Sequence, residues 1–224
     1  MKITYIHHSC FLVETKRFYF LFDYVKGVLP ELDAGKPLFV LASHGHSDHY
    51  NPELFSLLKG HPVTAVLSDD ITPPANMDVL KVSPGAVYEL AEDLTLTTFQ
   101  STDLGVAFLI EVDGVLFYHA GDLNDWVWDE EPDDYNEEMT RSYRHQVDLL
   151  AKTLGQREPD AAFVVLDPRQ EKDYDRGLCY FLDTVSAKKV YPMHYWGQSQ
   201  IIDTFINDHP QYLPKIQKTE LIKF

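Results

Sequence analysis

The first half of the chain is dominated by short runs of aromatic and β-branched residues separated by polar residues. Runs of this composition are typical of β-strands. The run PLFVLA is apolar throughout, as expected for a strand that is buried on both faces. Five further runs predict strands: KITYI, CFLVET, RFYFLFDY, VTAVLS and LTLTTFQS. The hydrophobic pattern therefore predicts a β-rich first half.

A β-hairpin is the strongest local prediction. The segment VAFLIEV-DG-VLFYHA contains two apolar runs joined by Asp113 and Gly114. An Asp-Gly pair favours the two-residue type I′ turn, because both central residues of that turn need a positive φ. We therefore expect an antiparallel pair of strands around this turn.

The second half of the chain alternates between helical and strand patterns. Residues 139–154 have apolar side chains at helical spacing, and the predicted buried face comprises Tyr143, Val147, Leu150, Ala151 and Leu154. DAAFVVLD and KVYPMHY predict strands, whereas YFLDTVSAK and QIIDTFIND predict helices. An earlier helix is expected over NPELFSLLK, with Asn51 as the N-cap and Pro52 at the first helical position.

This order of elements favours two packed sheets with helices outside, an α/β (α+β) architecture. The sequence has no repeat of solenoid length, no low-complexity segment and no stretch with the composition of a linker. At 224 residues the chain is long enough for one substantial core. We therefore predict a single domain over residues 1–224.

The charge distribution argues against a nucleic-acid partner. The formal net charge is −16, and residues 122–138 hold nine acidic residues and no basic one. This segment is either a solvated loop or an acidic insertion beside a site, and the role of residues 129–138 stays open. No basic stripe is present to bind a phosphate backbone.

Cysteine content and hydropathy favour a cytoplasmic protein. Cys10 and Cys179 cannot build a disulfide framework, and the N-terminus lacks the pattern of a signal peptide. No apolar run is long enough to span a membrane. We expect a reducing compartment, a small-molecule substrate and no membrane partner. The oligomeric state stays open, with a homo-oligomer as one alternative.

The stretch LASHGHSDHY places four potential metal ligands within six residues, directly after a predicted strand. His44 and His46 are two residues apart, so on an extended segment their rings point the same way. Asp48 and His49 follow in the turn before the helix expected at Asn51. Imidazole and carboxylate groups suit zinc, manganese or iron. A polar turn without a ligand role seldom has this density, so the stretch predicts a metal site.

The spacing His44-x-His46-x-Asp48-His49 matches the HxHxDH motif of the metallo-β-lactamase superfamily. HHSCFLVET, YHAGD and YPMHYWG are similar to segments of the beta-lactamase-like metal-dependent hydrolases, the branch that includes ascorbate-6-phosphate lactonase. The resemblance covers nearly the whole chain. It implies a four-layer αββα sandwich of the metallo-β-lactamase type and a centre for divalent metals.

The resemblance also implies a ligand set. The implied ligands are His44 and His46 for a first metal, Asp48, His49 and His194 for a second, and Asp122 as a carboxylate that bridges both. These positions fall at predicted strand ends or in adjacent turns, where a sandwich fold brings side chains to one edge. The set is therefore physically consistent with the predicted fold.

One expected ligand is absent from the sequence. The superfamily usually supplies a histidine to the first metal from the segment before the hairpin, which here is TTFQSTDLGVAF. Asp103 is a candidate oxygen ligand in its place, and Gln100 is a weaker one. An oxygen-rich first site favours harder metals. We expect a weaker first site and one firmly bound divalent metal, zinc first with manganese or iron as alternatives, at Asp48, His49, Asp122 and His194.

Other histidines near these motifs allow a structural or a functional role. Strand alternation sends His7 and His8 to opposite faces, so at most one reaches the site, and a structural role is expected for each. His119 is a candidate for fixing a ligand carboxylate through a hydrogen bond. We assign no function to the remaining histidines outside the motifs, which are His61, His145 and His209.

Aromatic and basic residues follow the late ligands. Trp126, Trp128 and Trp196 are candidates for the walls of a substrate pocket, with core packing as the alternative. Arg169 and Arg176 follow a predicted strand at the same edge. They can pair with a carboxylate or phosphate of the substrate, unless they are simply solvated.

The predicted chemistry is hydrolysis by a metal-activated water. Asp48 or Asp122 would orient the water or pass a proton to the leaving group. No Gly-x-Ser-x-Gly elbow and no credible cysteine nucleophile competes with this interpretation. The expected substrate is a small intracellular ester, lactone or phosphodiester. The alternative is a ligand-binding protein without catalysis that retains the fold and one structural metal.

Overall fold

The computed structural model describes residues 1–218, which form two six-stranded β-sheets. The first sheet has the strand order β1–β2–β3–β4–β5–β6. Strands β1 to β3 pair antiparallel, and β3 to β6 pair parallel. The strands are β1 (Lys2–His7), β2 (Cys10–Glu14), β3 (Tyr19–Phe22), β4 (Leu38–Ala42), β5 (Val63–Ser68) and β6 (Val79–Val82).

The second sheet is also mixed and has the order β12–β11–β10–β9–β8–β7. Strands β7 to β10 form an antiparallel meander, whereas β10, β11 and β12 run parallel. The strands are β7 (Val87–Ala91), β8 (Leu94–Gln100), β9 (Val106–Val112), β10 (Val115–His119), β11 (Ala161–Val165) and β12 (Val190–Met193).

The two sheets pack against each other through aromatic side chains. The ring centroids of Phe11 and Phe163 are 4.3 Å apart, and those of Phe20 and Phe117 are 5.2 Å apart. All four side chains are fully buried. Burying a phenylalanine contributes about 1.5–3 kcal/mol, so this layer between the sheets is a main source of stability.

Helices lie on the outer faces of both sheets. They are α1 (Leu54–Leu57), α2 (Asp133–Leu154), α3 (Arg176–Thr184) and α4 (Gln200–Asp208), with short 3-10 segments at Pro168–Asp173 and Pro210–Tyr212. Leu54 of α1 packs on the outer face of the first sheet with Leu38 and Val40. Helices α2 and α3 contact β8 and β11 of the second sheet. The predicted αββα sandwich is confirmed.

Several local predictions are confirmed in detail. Asp113 and Gly114 have φ values of 54° and 74°, as the type I′ turn requires. Helix α4 spans the predicted residues. Helix α2 buries four of the five predicted residues but begins at Asp133, because Pro132 precedes it and acidic residues favour its first turn. Its predicted fifth residue, Ala151, is only partly buried.

Other local predictions were wrong in extent. The Asn51 side chain accepts a hydrogen bond from the Glu53 N–H (3.0 Å) and closes a turn, so the helix begins only at Leu54 and lasts one turn. Helix α3 starts at Arg176, and Val185 ends it by adopting an extended backbone. Strands β6 and β7 were not predicted, because each is short and its side chains are mostly half-exposed.

Within residues 1–218, no helix combines the length and the apolar character that a membrane span needs. The predicted domain over 1–224 ends in residues 219–224, which lie outside the described residues.

Candidate metal centre

One edge of the sandwich collects polar residues that follow strands of both sheets. Asp23 directly follows β3 and His194 directly follows β12, while His44, Asp122 and Asp167 come within three residues of the ends of β4, β10 and β11. Strand β3 is parallel to β4, and β10, β11 and β12 are parallel to one another. Their ends therefore meet at the same edge of each sheet, where ligands of α/β folds commonly bind.

The inner cluster consists of His8, Asp48, His49 and His194. Their ligand atoms all lie within 4.8 Å of one another. Asp48 Oδ2 is 3.5 Å from His8 Nε2 and 3.7 Å from His194 Nε2. Neighbouring ligands of a metal with bonds of about 2.1 Å are ~3.0–3.4 Å apart, so only small shifts would close this cluster on an ion. The three rings are buried, and Asp48 is partly exposed.

The outer cluster consists of His44, His46, Asp103 and Asp122, again within 4.8 Å of one another. His46 Nδ1 is 3.2 Å from Asp103 Oδ2, and His44 Nε2 is 3.6 Å from Asp122 Oδ2. The His46 and Asp103 side chains are 46% and 38% exposed. Solvent therefore reaches the outer cluster far more easily than the inner one.

Asp122 faces both clusters. Its Oδ2 atom points to His44 of the outer cluster, at 3.6 Å. Its Oδ1 atom lies 3.0 Å from His49 Nε2 and 3.3 Å from His194 Nε2 of the inner cluster. Each oxygen thus serves a different group of side chains, which is the geometry that a carboxylate bridging two metals needs.

Buried polar atoms without hydrogen-bond partners surround this space. Among residues 1–218, Asp122 Oδ1 and the Nε2 atoms of His8, His44, His49 and His194 are buried and have no such partner. An unpaired buried polar atom costs about 1–3 kcal/mol. Five of them around one space fit a bound divalent cation, which nitrogen and oxygen ligands of this kind would coordinate.

Asp23 fixes the orientation of His49. The His49 Nδ1–H donates to Asp23 Oδ2 (2.8 Å), which leaves Nε2 directed into the inner cluster. Asp23 is itself held by Ser43, whose backbone N–H and Oγ–H donate to its two oxygens, each at 2.7 Å. A histidine ligand usually has such a carboxylate partner, because the second hydrogen bond fixes the tautomer and the ring orientation.

Asp167 has the same role for His194. The His194 Nδ1–H donates to Asp167 Oδ2 (2.9 Å), so its Nε2 also faces the inner cluster. Arg169 Nε and Nη2 donate to the same carboxylate at 2.9 and 2.5 Å, and Trp196 Nε1 donates to it at 3.2 Å. Two of the clustered rings are therefore oriented by buried carboxylates.

The pKa values of the inner histidines show where positive charge is favoured. Burial lowers the pKa of His8 to about 4, so this ring is neutral at pH 7, the form that binds metals. Burial also opposes protonation of His49, but the Asp122 and Asp23 carboxylates raise its pKa well above the usual value. For His194 too, Asp122 outweighs burial and raises the pKa. The buried carboxylates thus favour a positive charge here, which a divalent cation can supply.

The backbone at the site is strained. The φ angle is 49° at His8, 44° at Asp23 and 66° at His194, in the left-handed region that non-glycine residues avoid. Each such residue costs roughly 1–3 kcal/mol and tends to occur at functional sites. Before Asp122, Gly121 has φ 54°, and a Cβ there would lie 2.7 Å from the Ser43 Cβ.

A cavity of about 270 Å³ opens onto both clusters. Its polar part contains ligand-type residues of both clusters, namely His46, Asp48, Asp103, Asp122 and His194. Its other walls are formed by Thr102, Trp126, Trp128, Tyr135, Met139 and Arg169. The cavity therefore joins a candidate metal centre to a surface on which three of the six residues are aromatic.

The three candidate pocket tryptophans differ in their positions. Trp126 and Trp128 line the cavity and stack in parallel with ring centroids 5.9 Å apart. Trp126 is also buried, and its Nε1–H donates to the Asp122 carbonyl oxygen (2.9 Å). Trp196 is not among the residues that line the cavity, and its ring lies 4.5 Å from the guanidinium of Arg169, which does line it.

Residues 2–136 match the model of the beta-lactamase superfamily domain. The chain belongs to the beta-lactamase superfamily. The match includes β1 to β10, and with them every residue of both clusters except His194.

A curated protein is also similar to part of the chain. The UPF0173 metal-dependent hydrolase of Korarchaeum cryptofilum (strain OPF8) is 28% identical over 134 residues, which cover 54% of this chain and 60% of that protein. The chain therefore matches about three fifths of the length of this curated relative.

Two solved structures share the fold over nearly the whole chain. Igni18, a metallo hydrolase from Ignicoccus hospitalis KIN4/I, has a TM-score of 0.70 at 17% identity, covering 99% of this chain and 95% of that one. CmlA, a diiron beta-hydroxylase from Streptomyces venezuelae, has a TM-score of 0.67 at 13% identity, covering 98% of this chain and 52% of that one. Because a hydrolase and a hydroxylase share this fold, the fold alone does not decide the reaction.

The structure brings together the seven main ligand candidates and adds His8. The seven are His44, His46, Asp48, His49, Asp103, Asp122 and His194. A structural role was expected for His8, with at most one of His7 and His8 reaching the site. His8 lies in the turn between β1 and β2, where its positive φ departs from the strand backbone. Its Nε2 then joins the inner cluster. Gln100, the weaker candidate ligand, is exposed and instead donates to the Ser101 carbonyl oxygen.

Asp23 and Asp167 were missed by the sequence analysis. Each ends an apolar run, in FLFD and VVLD, much as Asp122 follows VLFYHAG. An acidic residue at the end of a buried strand was therefore the available signal. It is a weak one, because no local pattern shows that the strand ends will meet.

The structure revises three further assignments. His119 does not fix the Asp122 carboxylate, because its ring contacts the Ser9 carbonyl oxygen (2.9 Å) and accepts from the Gly121 N–H (3.1 Å). It therefore supports the turn that carries Asp122. Arg169 is paired with Asp167, and Arg176 lies 3.4 Å from Asp125, so neither is simply solvated.

Proposed function

We propose that this chain is a metal-dependent hydrolase that acts on a small ester, lactone or phosphodiester. The observation that carries the proposal is the position of Asp122, whose two oxygens each face a different group of ligand-type side chains beside one cavity. Membership of the superfamily and the name of the K. cryptofilum relative support it.

The residues present fit divalent metals. Three imidazoles and carboxylate oxygens at the inner cluster suit zinc, with manganese or iron as alternatives, and the outer cluster is richer in oxygen. When bound, such a metal would lower the pKa of a water toward neutrality and stabilise negative charge on a substrate oxygen. We propose that the inner cluster binds its metal more tightly, because it is buried and its rings are fixed by Asp23 and Asp167.

Asp48 is the proposed proton-handling residue. Its side chain lines the cavity and is 29% exposed, so it can contact both a water and a leaving group. The neighbouring His8 ring, against the effect of partial burial, lowers the pKa of Asp48 below its usual value. Asp48 is therefore ionised at neutral pH and can orient a water through a hydrogen bond. Asp122 would contact both clusters, one through each of its oxygens, and so fix their relative position.

The cavity limits the substrate. A volume of about 270 Å³ accommodates a small molecule. The stacked rings of Trp126 and Trp128 offer an apolar wall, and Arg169 at the rim offers a guanidinium to an anionic group. The free thiols Cys10 and Cys179 support the proposal of a reducing, cytoplasmic compartment.

The test begins with protein freed of metal by chelation and reconstituted separately with zinc, manganese and iron. Each form is assayed against esters, lactones and phosphodiesters, with Asp122→Asn and Asp48→Asn as variants. We expect turnover that depends on metal and falls by about 10²-fold or more in Asp48→Asn, as for loss of a positioned acid–base group. Ligand binding without turnover in every metal form would instead support the non-catalytic alternative.

A further inference from the structure

A third group of metal-binding side chains lies where the start of α3 meets the end of α4. Asp175, Cys179 and His209 each place one ligand atom within 4.8 Å of the other two. All three side chains are half-buried. The group shares no residue with the inner or outer cluster. None of its members was predicted to have a function from the sequence.

The contacts converge on a single ring nitrogen. His209 Nε2 lies 3.7 Å from Cys179 Sγ and 2.5 Å from Asp175 Oδ2. In a catalytic triad the nucleophile and the carboxylate bind opposite nitrogens of the imidazole, which lets the ring take a proton while it is held in place. Here both partners share Nε2, so the geometry does not fit activation of the thiol. It fits three ligands that face one ion.

The spacing suits a tetrahedral zinc ion. Zinc–sulfur and zinc–nitrogen bonds of about 2.3 and 2.0–2.1 Å place those two ligand atoms ~3.6 Å apart, close to the 3.7 Å between Cys179 and His209. The Asp175 oxygen would move away from the ring by somewhat under ~1 Å to reach its own tetrahedral position. Water would take the fourth position, on the exposed side.

The local structure preorganises these ligands. Asp175 and Cys179 are one helical turn apart, and the Cys179 N–H donates to the Asp175 carbonyl oxygen (2.8 Å). The His209 ring packs on Phe205 with centroids 4.9 Å apart, and the His209 N–H donates to the Phe205 carbonyl oxygen (2.8 Å). The three side chains are therefore held on facing parts of α3 and α4 before any ion binds.

The surrounding charge favours a cation. Asp208 accepts a hydrogen bond from Tyr174, next to Asp175, and Asp183 accepts one from Tyr212, three residues after His209. These two carboxylates add negative charge near the group. A positive ion would reduce the mutual repulsion of the Asp175, Asp183 and Asp208 carboxylates.

We propose that Asp175, Cys179 and His209 form a zinc site that links α3 to α4. A thiolate with an imidazole and a carboxylate selects zinc over harder ions such as magnesium or manganese. Binding would release the thiol proton to solvent, and the proton that His209 Nε2 shares with Asp175 would move to Nδ1 or to solvent. Zinc would then bond to the Cys179 sulfur, His209 Nε2 and an Asp175 oxygen. The site is independent of the proposed hydrolase centre, whose candidate ligands include no sulfur.

Cobalt(II) titration of the metal-free full-length protein tests this proposal. A thiolate bound to cobalt gives an intense charge-transfer band in the near ultraviolet, whereas nitrogen and oxygen ligands do not. We expect the intensity of the band to reach a plateau that corresponds to one thiolate-bound cobalt ion per chain. The band should disappear when zinc replaces the cobalt. Cys179→Ser should abolish the band. His209→Ala should weaken cobalt binding at least ~10-fold, as expected for loss of one ligand.

Cys10→Ala is the matched control, because Cys10 is the other cysteine of the chain and is buried in the core. This variant should keep the band. Circular dichroism of each variant checks folding. Absence of the band in folded parent protein would overturn the proposal, as would a band of unchanged affinity in both His209→Ala and Asp175→Asn. Hydrolase activity does not enter these outcomes, so the two proposals fail separately.

Discussion

Asp103 Oδ2 lies 3.2 Å from His46 Nδ1, in the outer cluster. The chain thus places a carboxylate where the resemblance to the superfamily led us to expect a histidine. Because Asp122 also belongs to this cluster, its donors are two imidazoles and two carboxylates. The inner cluster has three imidazoles and one carboxylate, in addition to the contacts of Asp122. The two clusters therefore differ in their ligand types, with more oxygen in the outer one, and in how far solvent reaches their side chains.

Replacing Asp103 should separate the two clusters. We expect Asp103→Ala to lose the metal of the outer cluster and to keep that of the inner one, since Asp103 contacts only the outer group. The measurement is elemental analysis in a Cys179→Ser background, which removes the third candidate site. The metal content should fall from two equivalents per chain to one in Asp103→Ala. His49→Ala is the counterpart and should lose the inner metal. An unchanged content in Asp103→Ala would show that this carboxylate is not a ligand.

His8 should contribute to tight metal binding. Removing its ring in His8→Ala deletes one of the four ligand-type side chains of the inner cluster. We expect metal affinity to fall by at least ~10–100-fold, the range found even for outer-shell partners of metal sites. Competition with a chromophoric chelator measures this. His7→Ala is the matched control, because His7 is adjacent in sequence but absent from both clusters. Equal losses in the two variants would contradict the assignment.

Asp167 should act through His194. Asp167→Asn keeps the size of the side chain but removes its negative charge. That carboxylate orients His194 and accepts hydrogen bonds from Arg169. We expect about 10–100-fold weaker metal binding at the inner cluster. Asp208→Asn, a carboxylate on α4 that contacts Tyr174, should leave metal binding at this cluster unchanged. A normal affinity in Asp167→Asn would remove Asp167 from the proposed orienting role.

Metal removal should destabilise the folded chain. A metal present at 100 times its dissociation constant stabilises the native state by about 2.7 kcal/mol, if it does not bind the unfolded chain. We therefore expect chelation to lower the thermal midpoint of the parent protein reversibly. The midpoint of a folded His49→Ala, Asp103→Ala, Cys179→Ser variant should not respond. A parent midpoint that is indifferent to chelation would argue against metal binding.

The elements that the sequence predicted well are those with strong local signals. The Asp113-Gly114 turn and the buried face of α2 follow from backbone preference and helical periodicity. The HxHxDH spacing predicted that His44, His46, Asp48 and His49 lie close together, and the structure places them in the two clusters. The positions of Asp122 and His194 followed from the resemblance to the superfamily and not from this motif. His8 could not be predicted in the same way, since its direction depends on a turn conformation. Asp23 became recognisable only when the parallel register of β3 and β4 placed it beside His49.

Gly105 should be indispensable to the geometry of the outer cluster. It has φ +69°, and a Cβ there would lie 1.9 Å from the Ser43 carbonyl oxygen and 2.8 Å from the His44 Cβ. The Val106 N–H donates to the same Ser43 oxygen (2.9 Å), so the backbone cannot move away without losing that bond. Gly105→Ala adds left-handed strain of about 1–2 kcal/mol to overpacking of about 1–3 kcal/mol.

Gly114→Ala separates these two effects. Gly114 has a similar φ of +74°, but a Cβ there would meet nothing within 4 Å. It should therefore cost only the conformational part, about 1–2 kcal/mol. Urea denaturation at constant m-value measures both variants, and we expect Gly105→Ala to lose more stability than Gly114→Ala. Equal losses would mean that the loop carrying Asp103 can move away from Ser43 at no cost, in which case the close approach does not hold the outer cluster in place.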